Sequence, residues 1–418
     1  MSSHRGLARR LTTADAVHIG VGSMVGAGLF TAFAPAAAAA GALLLLALGV
    51  AAVVAFCNAT SSAQLAAQYP TSGGTYVYGR ERLGPWWGFI AGWGFVIGKT
   101  ASCAAMAMTF AAYVVPGDWQ RPVAIAAVIA LATVNYHGVT RTARLARLLV
   151  TVVLILLVVT LVAVASGAPP APVSLGSPVG WTGVAEGAAL LFFAFAGYAR
   201  IATMGEEVSS PRRTIPRAII IAFAVVVPLY AATGWILLDR LGAPALAAAE
   251  APLRDAAEKT PYAAWLAPVV VVAAAVAALG ALLSLVAGVG RTALAMAREG
   301  DLPSGLARVH ERYAVPHVAE AALAVVVSLL VLVADLRGVI GFSSFGVLVY
   351  YAIANAAAFT QTGPDRIYPR GLQVIGLVGC GVLAFTVPVE ALVAGGVILL
   401  AGVAGRAMVV RRRAGSGA

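Results

Sequence analysis

Gly22-Ser23-Met24-Val25-Gly26-Ala27-Gly28 lies in the middle of an apolar run spanning roughly residues 14–36. Three glycines in seven residues weaken a helix, each by about 1 kcal/mol against alanine. Two readings follow. Small residues let neighbouring helices pack closely in a membrane. Alternatively the chain unwinds here and turns free amide groups toward a cavity, the setting in which unpaired backbone survives at membrane depth. A second weak point reads Phe192-Phe193-Ala194-Phe195-Ala196-Gly197-Tyr198-Ala199-Arg200, again inside an apolar run.

The composition places both runs in a bilayer. Of 418 residues, 61% are hydrophobic and 11% charged, and the mean hydropathy is +0.92. Soluble domains carry about 25% charged residues. The apolar runs reach the roughly 18 residues a membrane helix needs. They lack the alternation of a β-barrel. The fold class expected is therefore an all-α polytopic membrane protein. Twelve spans are expected, near 14–36, 41–67, 85–114, 121–136, 147–167, 181–205, 216–238, 262–290, 316–334, 339–360, 371–388 and 390–409.

Charge supports that count. With twelve spans, 21 cationic side chains share one side with the termini, from Arg5 and Arg80 through Arg212 and Arg298 to Arg413. The other side holds 5, namely Arg121, Arg240, Arg254, Lys259 and Arg337. Positive loops stay inside, so both termini are expected in the cytoplasm, with the protein in the cell membrane. The basic start of the chain lacks a small-residue cleavage site after its first apolar run, so that run reads as a retained helix. Residues 1–13 read as a cytoplasmic tail, 14–361 as a ten-helix core, and 362–418 as two further helices with a basic end.

The two breaks fall in the first and sixth spans, five apart. An odd offset inverts the second unit relative to the first, as in an inverted repeat with paired broken helices at a midplane site. Half-helix N-termini attract a carboxylate and half-helix C-termini an ammonium. A zwitterionic amino acid suits both poles.

Four motifs in order resemble the amino acid–polyamine–organocation superfamily. They are Gly20 through Phe30; Phe192 through Tyr198 followed by Gly205-Glu206-Glu207-Val208; Tyr69-Pro70-Thr71-Ser72-Gly73-Gly74-Thr75-Tyr76; and Arg291 followed by Met296 through Pro303. The branch most similar is that of cationic amino acid transporters. The resemblance implies a leucine-transporter-type fold, a five-plus-five inverted repeat with discontinuous helices 1 and 6, working by alternating access. It implies that amides around Ser23, Met24, Val25, Gly26, Ala27 and Gly28 hold the substrate carboxylate. Carbonyls around Phe195, Ala196 and Gly197 would take the ammonium, and Tyr198 would shape or gate the pocket. Cationic-substrate members carry an acidic residue just after the position of Tyr198. Here Ala199 and Arg200 stand there, which favours a neutral amino acid over a cationic, amine or organic-anion substrate.

Lys99 falls mid-span in Gly98-Lys99-Thr100-Ala101-Ser102-Cys103. A charge at that depth costs about 2.5–3.5 kcal/mol and usually marks function. Three readings stand side by side: a proton-accepting switch, a fixed cation where relatives bind sodium, and a brace on broken-helix carbonyls. Arg200 either snorkels to the interface or joins Glu206 and Glu207 in an inner gate of weak ion pairs.

Other chemistry is scarce. Cys57, Cys103 and Cys380 are far apart and read as buried hydrophobes. Glu186 reads as an exposed carboxylate near a helix N-terminus. No metal-type His spacing or Walker loop occurs, so neither cofactor nor enzyme is expected. The absence of basic faces interleaved with aromatics argues against nucleic acid. The partners expected are the bilayer, a small amino-acid-like substrate and protons. A transporter-like sensor without transport activity is the rival of another class.

Overall fold

The computed structural model describes residues 11–416 apart from 71–72, 138–142, 168, 172–178, 205–206 and 314. Thr12 opens the first helix. Its hydroxyl accepts the Asp15 amide at 3.3 Å, and Asp15 accepts the Thr12 amide at 2.9 Å, a reciprocal cap that satisfies two otherwise unpaired donors. Arg147 pairs with that same Asp15 at 3.0 Å. Helix α1 (Thr13–Val25) stops at Gly26, whose φ of −41° and ψ of −145° leave helical geometry. The chain resumes as α2 (Ala27–Thr31) and α3 (Phe33–Ala40), then turns through Gly41, at φ 51°, toward α4 (Leu44–Gln68).

Next come α5 (Thr75–Leu83), α6 (Pro85–Val114), α7 (Gln120–Tyr136), α8 (Ala143–Gly167) and α9 (Trp181–Phe195). One 3-10 turn over Ala196–Tyr198 leads into the short α10 (Ala199–Ala202). There follow α11 (Pro211–Leu241), α12 (Ala243–Ala248), α13 (Pro252–Glu258) and α14 (Ala263–Arg298). The chain ends with α15 (His317–Val333), α16 (Leu336–Phe359), α17 (Arg370–Thr386) and α18 (Val389–Ser416).

Among the described residues, 8 helical stretches are long and apolar enough to cross a membrane. They are Phe33–Gln68, Pro85–Val114, Arg147–Gly167, Trp181–Ala202, Pro211–Leu241, Ala263–Arg298, Leu336–Phe359 and Val389–Arg411. The protein is a helical multi-pass membrane protein. The other expected spans coincide with α1–α2, α7, α15 and α17, whose helices fall short of the roughly 18 residues that mark a crossing by length. Two boundaries differ from expectation. α14 runs on to Arg298, so Arg291 and Arg298 sit on a helix and not in a loop. The segment expected as a loop before α6 contains α5, entered through Gly73 and Gly74 at φ 121° and 56°.

α6, α9 and α16 are buried along most of their length, whereas α8 and α18 face outward. Glycines bring α6 and α16 together. A β-carbon on Gly346 would stand 2.6 Å from the Gly94 carbonyl oxygen, and one on Gly98 3.0 Å from that of Ser343. Small residues four apart allow such backbone approach. Beside Gly98 the Ser102 and Ser343 hydroxyls bond at 2.7 Å.

A buried polar seam joins α4 to α16. Asn58, Ser61, Gln64 and Gln68 lie three or four residues apart and therefore share one face of α4. Ser61 donates to Asn355 at 2.7 Å, Asn355 to Asn58 at 2.6 Å, and Gln64 to Gln361 at 2.7 Å. Gln361 in turn donates to Gln68 at 2.7 Å. The three cysteines are free and buried, and the Cys380 thiol donates to Asn58 at 3.3 Å.

Asp301, after α14, gathers three elements. It accepts from Tyr76 at 2.9 Å, Arg80 at 3.1 Å and Arg406 at 2.8 Å. Arg406 also lies over the Trp86 ring at 4.4 Å. Burial and the adjacent Asp301 carboxylate push the Tyr76 phenol above its ordinary range, which keeps it a donor.

Candidate functional site

The Gly26 break of the first run meets the 3-10 turn of the sixth, which runs on without interruption from α9 into α10. A β-carbon on Gly197 would stand 2.2 Å from the Ser23 carbonyl oxygen and 2.6 Å from the Met24 nitrogen. One on Gly28 would stand 2.6 Å from the Ala194 α-carbon. Each break thus presses a glycine against the backbone of the other. The glycines also serve packing: positions Gly20 and Gly22 abut Ile201 and Val150. Close packing, one of the two readings open for this stretch, describes these contacts, and the helix is interrupted at Gly26.

The open backbone is narrower than expected. Ser23, Met24 and Val25 complete the last turn of α1, and the Ser23 hydroxyl donates back to Ile19 at 2.8 Å. Gly26 leaves the helix, and Ala27 and Gly28 begin α2. The first amides of a helix lack partners within it, so the donors at this break belong to the start of α2. In the sixth run, Phe195 ends α9, and Ala196, Gly197 and Tyr198 tighten into a single 3-10 turn.

One hydroxyl stands between the ends of α1 and α9. Tyr230 of α11 lies 2.6 Å from the Met24 carbonyl and 3.0 Å from that of Ala194, and its single O–H donates to one of them at a time. Those carbonyls lie in the last turns of α1 and α9, where a helix leaves acceptors unpaired. The Tyr230 ring packs 5.0 Å from Phe195, and the side chain is fully buried.

Lys99 reaches the same place from α6. Its Nζ donates to the Ala196 carbonyl at 3.2 Å. Tyr351 of α16 donates to that oxygen as well, at 3.1 Å. Among the described residues no carboxylate lies within ion-pair distance of Lys99. Tyr198 is fully buried and stacks on Tyr351 with centroids 4.9 Å apart. Lys99, Ser102 and Cys103 are all buried in α6.

Arg200 pairs with Glu207 at 3.3 Å and also donates to Thr203 at 3.4 Å. Glu206 lies outside the described residues. Arg212 pairs with Asp365, at 3.5 Å. The segment holding Glu207 is tied to the start of α1: Leu11 donates to the Glu207 carbonyl at 3.0 Å, and Ser209 to that of Leu11 at 3.2 Å. At the opposite end, Glu186 is ion-paired with Arg337, so it is more than a free helix-end carboxylate.

A family model described as amino acid permease matches residues 11–403. The chain belongs to the amino acid permease family. This permease is 55% identical over 413 residues to an uncharacterized transporter of Mycobacterium tuberculosis, covering 98% of this chain and 93% of that one. It is 30% identical to cationic amino acid transporter 4 of Homo sapiens, covering 82% of this chain and 58% of the relative. It is 24% identical to the branched-chain amino acid permease of Bacillus subtilis, covering 90% and 86%.

Tyr230 and Tyr351 went unmarked in the sequence of the permease. Each carries a polar tip on an apolar body, and a buried tyrosine hydroxyl usually finds a partner. Both are tyrosines inside long apolar runs, which was the available signal. Nothing in the sequence said which carbonyls they would reach.

Proposed function

We propose that this protein is a secondary amino acid permease that works by alternating access. In this reading twelve spans form a five-plus-five inverted repeat with two added helices. Both termini lie in the cytoplasm of a cell-membrane protein. The observation that carries the reading is the backbone contact between Gly197, in the 3-10 turn after α9, and Ser23, at the end of α1.

The amides at the start of α2 hold the substrate carboxylate, and carbonyls of the Ala196 turn take its ammonium. Tyr198 and Tyr351 wall the site. Arg200 and Glu207 form the inner gate, since such half-buried pairs are worth about 0–1 kcal/mol and open at low cost. Transport draws on protons or on counter-exchange, and Lys99 links occupancy to charge.

A neutral amino acid is the favoured substrate. No carboxylate follows Tyr198, where Ala199 and Arg200 stand, and Lys99 already brings one positive charge. The relatives' names divide between cationic and branched-chain amino acids, and the charge balance sides with the second. A thermal-shift screen of purified protein against amino acids, amines and small carboxylates tests this, because ligands of the native state raise its apparent stability. Stabilisation by neutral amino acids supports the reading. Stabilisation by none of the amino acids refutes it.

A further inference from the structure

The Ala196 carbonyl oxygen has two lone pairs for hydrogen bonding. The protein's own side chains engage it twice, through the Lys99 ammonium at 3.2 Å and the Tyr351 hydroxyl at 3.1 Å. Those two side-chain donors leave little room for a further ammonium at this oxygen. A substrate ammonium arriving there must displace one of the two. It also repels Lys99, whose charge no described carboxylate neutralises.

We propose that the Lys99 side chain is a tethered stand-in for the substrate's ammonium, holding the Ala196 carbonyl when no substrate does and yielding it when one binds. The proposal rests on the reading above that the Ala196 turn belongs to the substrate cradle. The chemistry matches: both groups are primary ammoniums with three donors. The placement matches too, since Lys99 comes from α6, outside either break, and its flexible stem can withdraw without unfolding them.

The consequence concerns the unloaded carrier. A transporter whose empty form cannot reorient is an obligate exchanger. A built-in cation lets the empty form close around itself and return. Lys99 therefore makes net transport available, and its loss leaves exchange. Substrates differ accordingly. A carboxylate without an amino group can bind while Lys99 keeps Ala196, so the amino group is worth little to affinity.

The test uses full-length protein in liposomes and the labelled neutral amino acids alanine, serine, valine, leucine, isoleucine and phenylalanine. Uptake is measured into empty vesicles and into vesicles preloaded with the same unlabelled compound. For Lys99→Met the expected result is a loss of about tenfold or more in uptake into empty vesicles, with exchange kept within about threefold of wild type. Lys99→Arg, which keeps the cation, retains net uptake. Equal loss of both modes in Lys99→Met, or loss of neither, overturns the proposal and makes Lys99 a brace or a bystander.

A second measurement needs no variant. In wild type, 4-methylpentanoate competes with leucine uptake at concentrations within about tenfold of unlabelled leucine. A deficit beyond about a hundredfold overturns the stand-in. Absence of uptake of every labelled amino acid by wild type defeats the permease reading itself, and the stand-in with it. Robust wild-type uptake combined with the failures above defeats the stand-in alone.

Discussion

Gly197 and Ser23 touch through their backbones: a β-carbon on Gly197 would stand 2.2 Å from the Ser23 carbonyl oxygen. A contact below about 3 Å with main chain cannot be relieved by turning a rotamer, because cores are packed too densely to absorb it. The sixth run can make its 3-10 turn at this depth only because the residue facing α1 has no side chain. The same relation holds in reverse at Gly28 and Ala194. The contact is thus a mutual fit of the α1–α2 break and the 3-10 turn after α9, each lacking a side chain where the other passes.

Gly26→Val tests the first break. A β-carbon at Gly26 would stand 2.8 Å from that of Ala281 on α14, and the two methyls of valine crowd α14 further. Substrate binding is expected to fall by about tenfold or more while the protein still assembles in membranes. Size-exclusion profiles and labelled-ligand binding check this. Normal binding would leave Gly26 as packing only.

Tyr230→Phe removes one hydroxyl, whose single O–H donates to either the Met24 or the Ala194 carbonyl. A buried acceptor left unsatisfied costs about 1–3 kcal/mol. The ring contacts with Phe195 and Phe33 stay. Lower apparent thermal stability is expected, together with a loss of uptake larger than the loss of folded protein. Unchanged uptake at reduced stability would make Tyr230 a structural pin alone.

Arg200→Ala and Glu207→Ala probe the inner gate. Their pair at 3.3 Å is half-exposed, so each change should cost folding less than about 1 kcal/mol. Both single variants and the double variant should alter uptake to the same degree, because they remove one shared interaction. Additive effects in such a cycle would show that the two residues act separately.

Asp301→Ala should damage the protein more than Arg80→Ala. Asp301 accepts from Tyr76, Arg80 and Arg406, and Arg406 is buried where Arg80 is partly open. Removing one partner of a buried pair costs about 3–5 kcal/mol, since the other charge is left uncompensated. Protease accessibility of α18 reads the difference. Equal stability of the two variants would refute it.

The helical membrane character and the family were legible because each has a local signature. Apolar runs declare themselves by length, and Gly22 through Gly28 declares a weak helix by composition. The contacts were not legible. Lys99 could be placed in the middle of a span, but its acceptor, Ala196, is 97 residues away. The reading of a brace on broken-helix carbonyls named the right kind of partner without being able to choose it. Tyr230 and the polar seam of Asn58, Ser61, Gln64 and Gln68 were invisible for the same reason. A hydroxyl or amide in an apolar run costs free energy unless paired, and the sequence does not state the pairing. Helix ends were misread at Arg298 and Thr75, where charged and aromatic residues extend helices beyond the apolar runs.

The central claim is that the two breaks bind substrate by fitting each other. Equilibrium binding of labelled neutral amino acids to purified Gly197→Ala measures it most directly, with Gly402→Ala as the control. A β-carbon on Gly402 would also stand 2.2 Å from its nearest neighbour, there the Trp93 side chain, but Gly402 lies on α18 away from Gly26 and Gly197. The account predicts that Gly197→Ala loses about tenfold or more in affinity while Gly402→Ala stays within about threefold of wild type. Wild-type affinity in Gly197→Ala, with the variant correctly assembled, would contradict it.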